Sequence, residues 1–353
     1  MDIRVEEKYL VRAKELHRKH MVVDAHLDLA GEILLRHQLG EQQVLKTRYL
    51  PAFQEAGVKL VASSVYVANC DLENSWENAI SQIEAIKAEI EPLSGVRLIT
   101  SRRELRQLQA DNEQEYVLGI LLYMEGLDAI GEDLDKIGEL YQLGVRGASL
   151  TWSRKNALAT GCCKASEYRQ IAGGLTEKGK EAIPYLEKMS MFLDISHLND
   201  DGVYDVCRIA KRPFVATHSN SKEIYLNYRN LTDEQLRMLA AQGGIAGLNG
   251  CQYIAVSRSG NHLEMLCRHV EHEVEVMGAA HIGFGFDLCD SYDEARAELQ
   301  GKVNTQKDDC LYSHREIPLV TALLLQRGMS EESVIAIIGQ NWMDYFAKVL
   351  PEK

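Results

Sequence analysis

The sequence predicts an α/β protein, specifically a (β/α)8 barrel of the TIM type with additional C-terminal helices. Eight short runs rich in β-branched residues alternate with longer segments whose apolar residues recur at helical spacing. Strand–helix alternation on this scale predicts parallel strands joined by right-handed crossovers, and eight such units suffice to close a barrel. An open, doubly wound sheet is the structural alternative.

A single domain covering residues 1–353 is expected. The chain is longer than most single cores, but α/β barrels reach this length as one domain, and no long linker rich in Ser, Pro or Gly divides it. Helices at about 314–350 follow the last strand. The strands are predicted at residues 21–28, 59–67, 116–125, 145–152, 191–198, 213–219, 244–250 and 281–287.

Two of the intervening helices carry start signals. Thr232 precedes a helical pattern with acids in its first turn, and Thr176 precedes another helical pattern. A threonine hydroxyl at such a position accepts a hydrogen bond from a backbone N–H that has no partner within the helix. Pro184 lies inside the second of these helices and is expected to kink it.

Composition and charge narrow the classes of function. The formal net charge is -13, which argues against nucleic acid or an anionic membrane surface as a partner, because both require a basic footprint. No apolar run approaches membrane-spanning length, and neither end resembles a signal peptide or a lipid-anchor signal. The 8 cysteines show no CxxC spacing, so reduced thiols in a cytoplasmic protein are expected.

The run "VVDAHLDLA" at residues 22–30 carries Asp24, His26 and Asp28 at every second position. In an extended strand alternate side chains share a face, so all three are expected to point the same way. Burying an imidazole and two carboxylates together is costly unless something pairs with them. A divalent metal ion is one such partner, and a surface strand with solvated polar residues is the alternative.

Polar side chains also stand at the ends of the other predicted strands. In (β/α)8 barrels the chemistry lies at the carboxyl ends of the strands. Three of the 11 histidines and three carboxylates occupy these ends. The residues there are His26, Asp28, Glu125, Trp152, His197, His218 and Asp287.

This ligand set favours a catalytic zinc centre. Imidazole and carboxylate ligands without thiolate are typical of catalytic rather than structural zinc. Five ligands are too many for one tetrahedral ion with an open position, but they suffice for two ions if Glu125 bridges them. Two ions about 3.5–4 Å apart can hold a hydroxide that is a strong nucleophile at neutral pH. Manganese and cobalt also fill such sites.

Ordinary structural roles are the alternatives for these residues. His197 is either a ligand or a helix-capping or core histidine, and His218 is either a ligand or a loop residue bonded to backbone. Glu125 is either a ligand or the partner of an arginine such as Arg146.

Several other titratable residues are placed outside the ligand set. Asp24 and Asp194 are interpreted as acids that orient ligands or support the structure. Two histidine pairs at helical spacing are expected on solvated helix faces: His17 with His20, and His269 with His272.

The motifs "DAHLD", "YMEG", "LDISH", "THSN", "YRNLTDEQL" and "GFGFD" resemble, in this order, those of the renal or membrane dipeptidase family. The family comprises zinc dipeptidases among the amidohydrolase-like barrels, and the resemblance extends from about residue 22 to residue 290. It implies that His26 and Asp28 bind one zinc ion, that His197 and His218 bind the other, and that Glu125 bridges the two. A homodimer is a further family-level expectation.

Two more roles follow from the resemblance. Arg229, in "YRN", corresponds to the arginine that holds the free carboxylate of the dipeptide, for which a planar guanidinium is well suited. A surface arginine in a loop is the alternative. Asp287, in "GFGFD", matches the acid that carries a proton from the nucleophile to the departing amine. A helix cap or a ligand-orienting acid is the alternative there.

The chain departs from the vertebrate pattern at two places in the expected pocket. Trp152 stands where those relatives carry a histidine that helps to hold the substrate carbonyl oxygen, and an indole offers only one N–H donor. Gly250 and Cys251 replace bulkier aromatic residues of some relatives, which predicts a roomier or differently shaped pocket.

The leading prediction is therefore a dizinc dipeptidase that cleaves the amide bond of small dipeptides, L-D dipeptides included, by attack of a metal-bridging hydroxide. The alternative within the same chemistry is a hydrolase of another small amide, a lactam or an N-acyl amino acid, and Trp152 motivates it. The alternative of another class is a barrel that binds metal without turnover.

Overall fold

The structure, a computed structural model, describes residues 4–162, 164–166, 169–257 and 261–353. Eight strands form one parallel sheet and two short strands form an antiparallel pair. In chain order they are β1 Val22–Leu27, β2 Val58–Tyr66, β3 Val96–Leu98, β4 Leu118–Glu125, β5 Val145–Ser149, β6 Lys164–Ser166, β7 Arg169–Gln170, β8 Phe192–Asp194, β9 Ala246–Leu248 and β10 Ile282–Phe284.

The parallel sheet curls into the predicted barrel. Its order is β8-β5-β4-β2-β1-β10-β9, with β3 paired to the start of β4. Single parallel bridges from Asp194 to Val215 and from Ala216 to Ala246 join the two outer strands. The α/β barrel prediction is confirmed, and seven of the eight predicted strands are present.

The strand predicted at 213–219 is the exception, since only Val215 and Ala216 make bridges within it. The backbone N–H of Thr217 donates to the Asp194 carboxylate at 2.9 Å, and that of His218 donates to the Ser196 hydroxyl at 3.2 Å. Side chains thus take the hydrogen bonds that a neighbouring strand would otherwise receive, and the ladder stops.

Helices cover the outside of the sheet. Thr232 caps α9 in a capping box with Gln235, and Thr176 caps α7, which runs on through Pro184. The α-helices are α1 Glu7–Lys19, α2 Leu29–Gln38, α3 Leu50–Ala56, α4 Ser75–Ile90, α5 Arg102–Asp111, α6 Asp135–Gln142, α7 Glu177–Lys188, α8 Asp200–Ile209, α9 Asp233–Ala241, α10 Gln252–Ala255, α11 His262–Met277, α12 Asp290–Leu299, α13 Ile317–Gln326, α14 Glu331–Ile335 and α15 Asn341–Val349.

The last helix, α15, fills the barrel at the amino ends of the strands. Trp342 and Phe346 belong to the same buried cluster as Val23 and Leu121, and the Trp342 indole donates to the Phe284 carbonyl at 3.0 Å. This packing closes one end of the barrel and leaves the carboxyl ends of the strands for polar groups.

The prediction of solvated helix faces is wrong for His17 and His269, which are both buried. The His17 ring lies 2.7 Å from the Ala56 carbonyl and 2.8 Å from the Thr321 hydroxyl, and His269 lies 2.9 Å from the Ala255 carbonyl. Two partners for each ring offset the cost of burial, which helical spacing alone does not reveal. Burial lowers the pKa of both rings to about 4.

Among the described residues, no helix combines the length and the apolar character that a bilayer span requires.

Candidate metal centre

Six of the predicted site residues converge at the carboxyl end of the barrel. They come from separate parts of the chain: one lies within β1, one ends β4, and four lie in the segments that follow strands. Two of them, His197 and Asp287, adopt left-handed backbone angles with φ of 71° and 55°. Such angles are uncommon for residues other than glycine and cluster at functional sites. The six are His26, Asp28, Glu125, His197, His218 and Asp287.

The carboxylate of Glu125 is the centre of the cluster. Its Oε1 atom lies 2.8 Å from His197 Nε2, 3.3 Å from His218 Nε2 and 3.9 Å from His26 Nε2. The Nε2 atoms of His197 and His218 are themselves only 2.9 Å apart. One buried oxygen therefore faces three imidazole nitrogens, which is an arrangement typical of metal ligands.

A second group of ligand atoms forms around His26. Its Nε2 atom lies 3.2 Å from Asp287 Oδ1 and 3.9 Å from Asp28 Oδ1. The ligand atoms of these three residues all lie within 4.8 Å of one another, as do those of His26, Glu125 and His218. The two groups share His26, whose Nε2 lone pair can bind only one ion, so they overlap at that residue.

His197 does not cap a helix, and the described contacts of the His218 ring are with side chains. The cap of α8 is Asn199, not His197. His218 stacks on His26 with ring centroids 3.6 Å apart, and its Nδ1 contacts the Thr217 hydroxyl at 2.7 Å. Both side chains therefore point into the cluster.

Arg146 does not pair with Glu125. Its guanidinium donates to the backbone carbonyls of Thr100, Tyr141 and Val145. Glu125 is left among imidazoles.

Burial dominates the electrostatics of the cluster. It raises the pKa of Glu125 well above the usual value and also raises the pKa of Asp28. It lowers the pKa of His197 and His218 well below the usual value. Burial opposes the charge of His26 too, but Glu125, Asp287 and Asp28 outweigh it and raise its pKa to about 10. Burial thus disfavours the charged forms of Glu125 and Asp28, and a nearby cation would favour them.

The donor set fits divalent cations. His26 Nε2 is fully buried without a well-formed hydrogen bond, although carboxylate oxygens surround it. Nitrogen and oxygen ligands without thiolate suit zinc at a catalytic site, and manganese or cobalt as well.

The run that first suggested a metal does not behave as one regular strand. The pairing of β1 with β2 shifts register between Asp24 and Leu27, so simple alternation fails there. Asp24 accepts from the Phe286 backbone at 2.9 Å and lies 3.0 Å from His314 Nε2, whereas His26 and Asp28 reach the cluster. The expectation that all three side chains point the same way is wrong.

The cluster opens into a cavity of about 260 Å3. Aromatic rings form one part of its lining and carboxylates form another. The aromatic residues are Tyr66, Trp152, Tyr253 and Tyr292, and the acids are Asp28, Glu125, Asp287, Asp293 and Asp308.

Trp152 forms part of the cavity wall. Its ring stacks on His197 with centroids 5.4 Å apart and packs against Tyr66 at 5.3 Å. Gly250 and Cys251 are not among the residues that line the cavity, and a Cβ at Gly250 would lie 3.0 Å from the Phe286 carbonyl oxygen. The shape of the cavity therefore depends on Trp152 rather than on Gly250.

Arg229 is buried, so it is not a surface arginine in a loop. It donates to the Ser219 hydroxyl at 2.7 Å and to the His218 carbonyl at 3.0 Å, and its buried Nε has no hydrogen-bond partner among the described residues. The guanidinium therefore lies directly behind a predicted ligand.

Sequence reasoning missed three hydroxyl groups that contact the cluster. Ser153 lies 2.7 Å from His197 Nδ1, Thr217 contacts His218, and Tyr123 contacts His26 Nδ1. For Tyr123 a signal existed, because it precedes Glu125 by two positions in β4 and shares its face.

The adjacent cysteines differ in what can be described. Cys162 is a buried free thiol whose backbone N–H donates to the His197 carbonyl at 2.7 Å. Cys163 lies outside the described residues.

Comparisons with known proteins identify relatives of this chain. Residues 10–351 match the model of the family described as membrane dipeptidase, peptidase family M19. Human dipeptidase 3 is 24% identical over 96% of this chain and 67% of its own length. An uncharacterised Klebsiella pneumoniae protein from the pqqA 5' region is 30% identical over 55% of this chain and 72% of its own length.

Two solved structures share the fold over nearly the whole chain. Dipeptidase AC, a metallopeptidase of family M19, is 25% identical with a TM-score of 0.80, covering 95% of this chain and 99% of its own. A Rhodobacter sphaeroides metallopeptidase liganded with a phosphinate mimic of the dipeptide L-Ala-D-Ala is 24% identical with a TM-score of 0.81. That match covers 94% of this chain and 99% of the other.

Proposed function

Because the chain belongs to the membrane dipeptidase family, peptidase family M19, and is a metallo-dipeptidase of that family, we propose that it hydrolyses the amide bond of small dipeptides at a pair of zinc ions. The observation that carries the proposal is the single Glu125 oxygen within 2.8 to 3.9 Å of three histidine Nε2 atoms.

The proposed ligands divide into two sets with one shared member. His26 and Asp28 hold one ion, His197 and His218 hold the other, and Glu125 lies between them. Asp28 precedes α2 without capping it through its side chain, and its carboxylate accepts a hydrogen bond from the Ser64 hydroxyl, which would orient it for this role. The unpartnered Nε2 of His26 supports the same assignment.

When bound, two divalent cations lower the pKa of a water molecule enough to make it a nucleophile at neutral pH and polarise the substrate carbonyl. Asp287 is the proposed proton carrier. One of its oxygens faces the cluster and the other accepts a hydrogen bond from Asn249 at 3.0 Å. Its carboxylate also lines the cavity, so it lies between the ligands and the space for substrate.

Arg229 and Trp152 are the proposed substrate-positioning residues. The unpartnered Nε of Arg229 supports a role in holding the terminal carboxylate of the dipeptide, which would favour dipeptides over longer peptides. Trp152 shapes the cavity next to His197. Since an indole supplies only one donor, Trp152 would contribute little to stabilising a developing oxyanion, and bound cations would have to supply most of that stabilisation.

The test combines metal analysis with a substrate panel. Protein reconstituted with zinc is assayed against L-L and L-D dipeptides, and zinc per chain is measured in the same preparation. Two ions per chain and turnover that a chelator removes and zinc restores are expected. Absence of metal-dependent turnover on every dipeptide would overturn the dipeptidase proposal.

A second candidate is hydrolysis of another small amide, a lactam or an N-acyl amino acid. Trp152 in the cavity wall favours it, because the resemblance places a histidine there. Competition assays decide between the two: a lactam or N-acyl amino acid that is turned over faster than every dipeptide would replace the first candidate.

A further inference from the structure

Behind the cluster, one chain of buried hydrogen bonds connects two of the proposed ligands. The Tyr123 hydroxyl contacts His26 Nδ1 and lies 3.2 Å from Thr217 Oγ1. Thr217 Oγ1 lies 2.7 Å from His218 Nδ1 and donates to Asp194 Oδ2 at 2.6 Å. All five residues are 1% exposed or less, so water does not substitute for any of these bonds.

The direction of each bond follows from the number of protons available. The Asp194 carboxyl oxygens accept from the backbone N–H groups of Ser196 and Thr217 and from the Thr217 hydroxyl. A hydroxyl has one proton, so Thr217 can only accept from its other two neighbours.

Counting protons in the same way fixes the directions of the remaining hydrogen bonds. Tyr123 therefore donates to Thr217, and its oxygen accepts from His26 Nδ1–H. His218 Nδ1–H likewise donates to Thr217. Both imidazoles are thereby held as the tautomer whose Nε2 lone pair points towards Glu125.

We infer that Thr217 is a positioning residue shared by both metal sites, orienting His218 directly and His26 through Tyr123. The inference rests on the proposed function, because it concerns how the chain presents ligands to the two ions. It predicts that the affinities for the two ions are coupled through one hydroxyl group on the segment that replaces the sixth strand.

Three variants separate the part of the hydrogen-bond chain that serves only His26 from the part that serves both imidazoles. Tyr123→Phe removes only the hydroxyl that serves His26 and keeps the ring packed on Phe192, whose centroid lies 5.4 Å away. Thr217→Val removes the shared hydroxyl at nearly constant shape. Thr217→Ser keeps a hydroxyl at the same position and is the matched control.

Zinc affinity is measured on the metal-stripped full chain by competition with a chromogenic chelator. Tyr123→Phe is expected to weaken one ion by about 10- to 100-fold, and Thr217→Val to weaken both by a similar factor. Thr217→Ser is expected to bind both ions like the wild type. In the Tyr123→Phe/Thr217→Val double variant, the loss of affinity for the ion that His26 binds is expected to be smaller than the product of the two single losses. The reason is that the two hydroxyls act in series on His26.

A second measurement does not depend on metal. Histidine 15N chemical shifts of selectively labelled, metal-free protein report the tautomer of each ring. His218 is expected as the Nδ1–H tautomer in the wild type and is expected to lose that preference in Thr217→Val. A wild-type tautomer of His218 in Thr217→Val, together with wild-type zinc affinity in Tyr123→Phe, would overturn the inference.

The outcomes separate this inference from the proposed function. If the wild type binds no pair of zinc ions, the proposed function fails, and the tautomers still test the hydrogen-bond chain. If the wild type binds two ions and Tyr123→Phe binds both equally well, the inference fails and the proposed function stands. Should Thr217→Val not fold, as judged by thermal unfolding, Tyr123→Phe decides the matter.

Discussion

The two ends of the barrel treat buried charge in opposite ways. At the amino end, Lys59 is buried and its ammonium group donates to the carbonyls of His17 at 2.9 Å and Arg18 at 2.8 Å, and to that of His20. At the carboxyl end, Glu125 and His26 are equally buried, but the chain leaves His26 Nε2 without a well-formed hydrogen bond. The buried charge of Lys59 is thus satisfied by backbone carbonyls of the protein itself, whereas the buried groups at the carboxyl end form a set that could bind a cation.

The volume of a cavity does not indicate which end of the barrel holds the metal cluster. A cavity of about 620 Å3 lies beside α1 at the amino end, and Lys14, Glu15 and Lys59 are among its lining residues. The cavity over the metal cluster has less than half that volume. Buried polar groups without full hydrogen bonding, rather than volume, distinguish the end of the barrel at which we propose catalysis.

The sharpest test of this difference is removal of metal. Chelation is expected to abolish dipeptide turnover and to lower stability, by about 4 kcal/mol for each ion when free zinc is 1,000 times its Kd. Assays and thermal unfolding with and without zinc measure both effects. Lys59→Met is the control from the amino end, and it should show the same zinc-dependent stabilisation as the wild type.

Asp287→Asn is expected to reduce kcat by about 10²- to 10⁴-fold, because the amide cannot accept and release the proton. Zinc stoichiometry should stay at two ions per chain if Asp287 carries protons rather than metal. Loss of one ion in this variant would instead make Asp287 a ligand, as its distance of 3.2 Å from His26 Nε2 allows.

The amino end is expected to be sensitive to acid. Burial lowers the pKa of His17 to about 4, so the unfolded chain binds the proton first as the pH falls. Stability contributed by this ring is therefore present above pH 6.5 and decreases as the pH falls towards 4, by about 3 kcal/mol in total. Chemical denaturation between pH 7 and 4 should show this loss, and His17→Gln should reduce the pH dependence without abolishing it, because burial also lowers the pKa of His269 to about 4; an unchanged slope would contradict the assignment.

Lys59→Met has the smallest expected effect. It leaves three carbonyl groups at the end of α1 without their donor, which is expected to cost about 1–3 kcal/mol of folding free energy. Burial also lowers the pKa of Lys59 to about 8, which partly offsets the loss near that pH because the charged form is costly to bury. Denaturant unfolding gives the change, while kcat and KM of the zinc-loaded variant should match the wild type.

Strand positions and strand-end chemistry were predictable because both are local. Alternating runs and the motifs around His26, Glu125 and His218 can be found in short windows of sequence. Even so, the strand predicted at 213–219 is reduced to two isolated parallel bridges, at Val215 and Ala216. Asp194, more than twenty residues earlier, takes the Thr217 N–H that a strand would use.

Local sequence patterns could not predict which polar residues are buried. His17 has helical spacing to His20, and only its contacts with Ala56 and Thr321, 39 and 304 residues away, show that it lies in the core. The position of Tyr123 in β4 gives it the same face as Glu125, but only the fold brings its hydroxyl against His26, 97 residues away.

By itself the sequence determined the barrel class, the family and the kinds of groups at the strand ends, since these depend on periodicity and on short motifs. Only the tertiary structure decided which hydroxyl lies behind which imidazole, that Asp24 turns away from the cluster, and that the charge at one end is satisfied while the charge at the other is not. Those outcomes depend on distances between residues far apart in the chain, and a hydrogen bond or a buried charge is settled over a few ångströms.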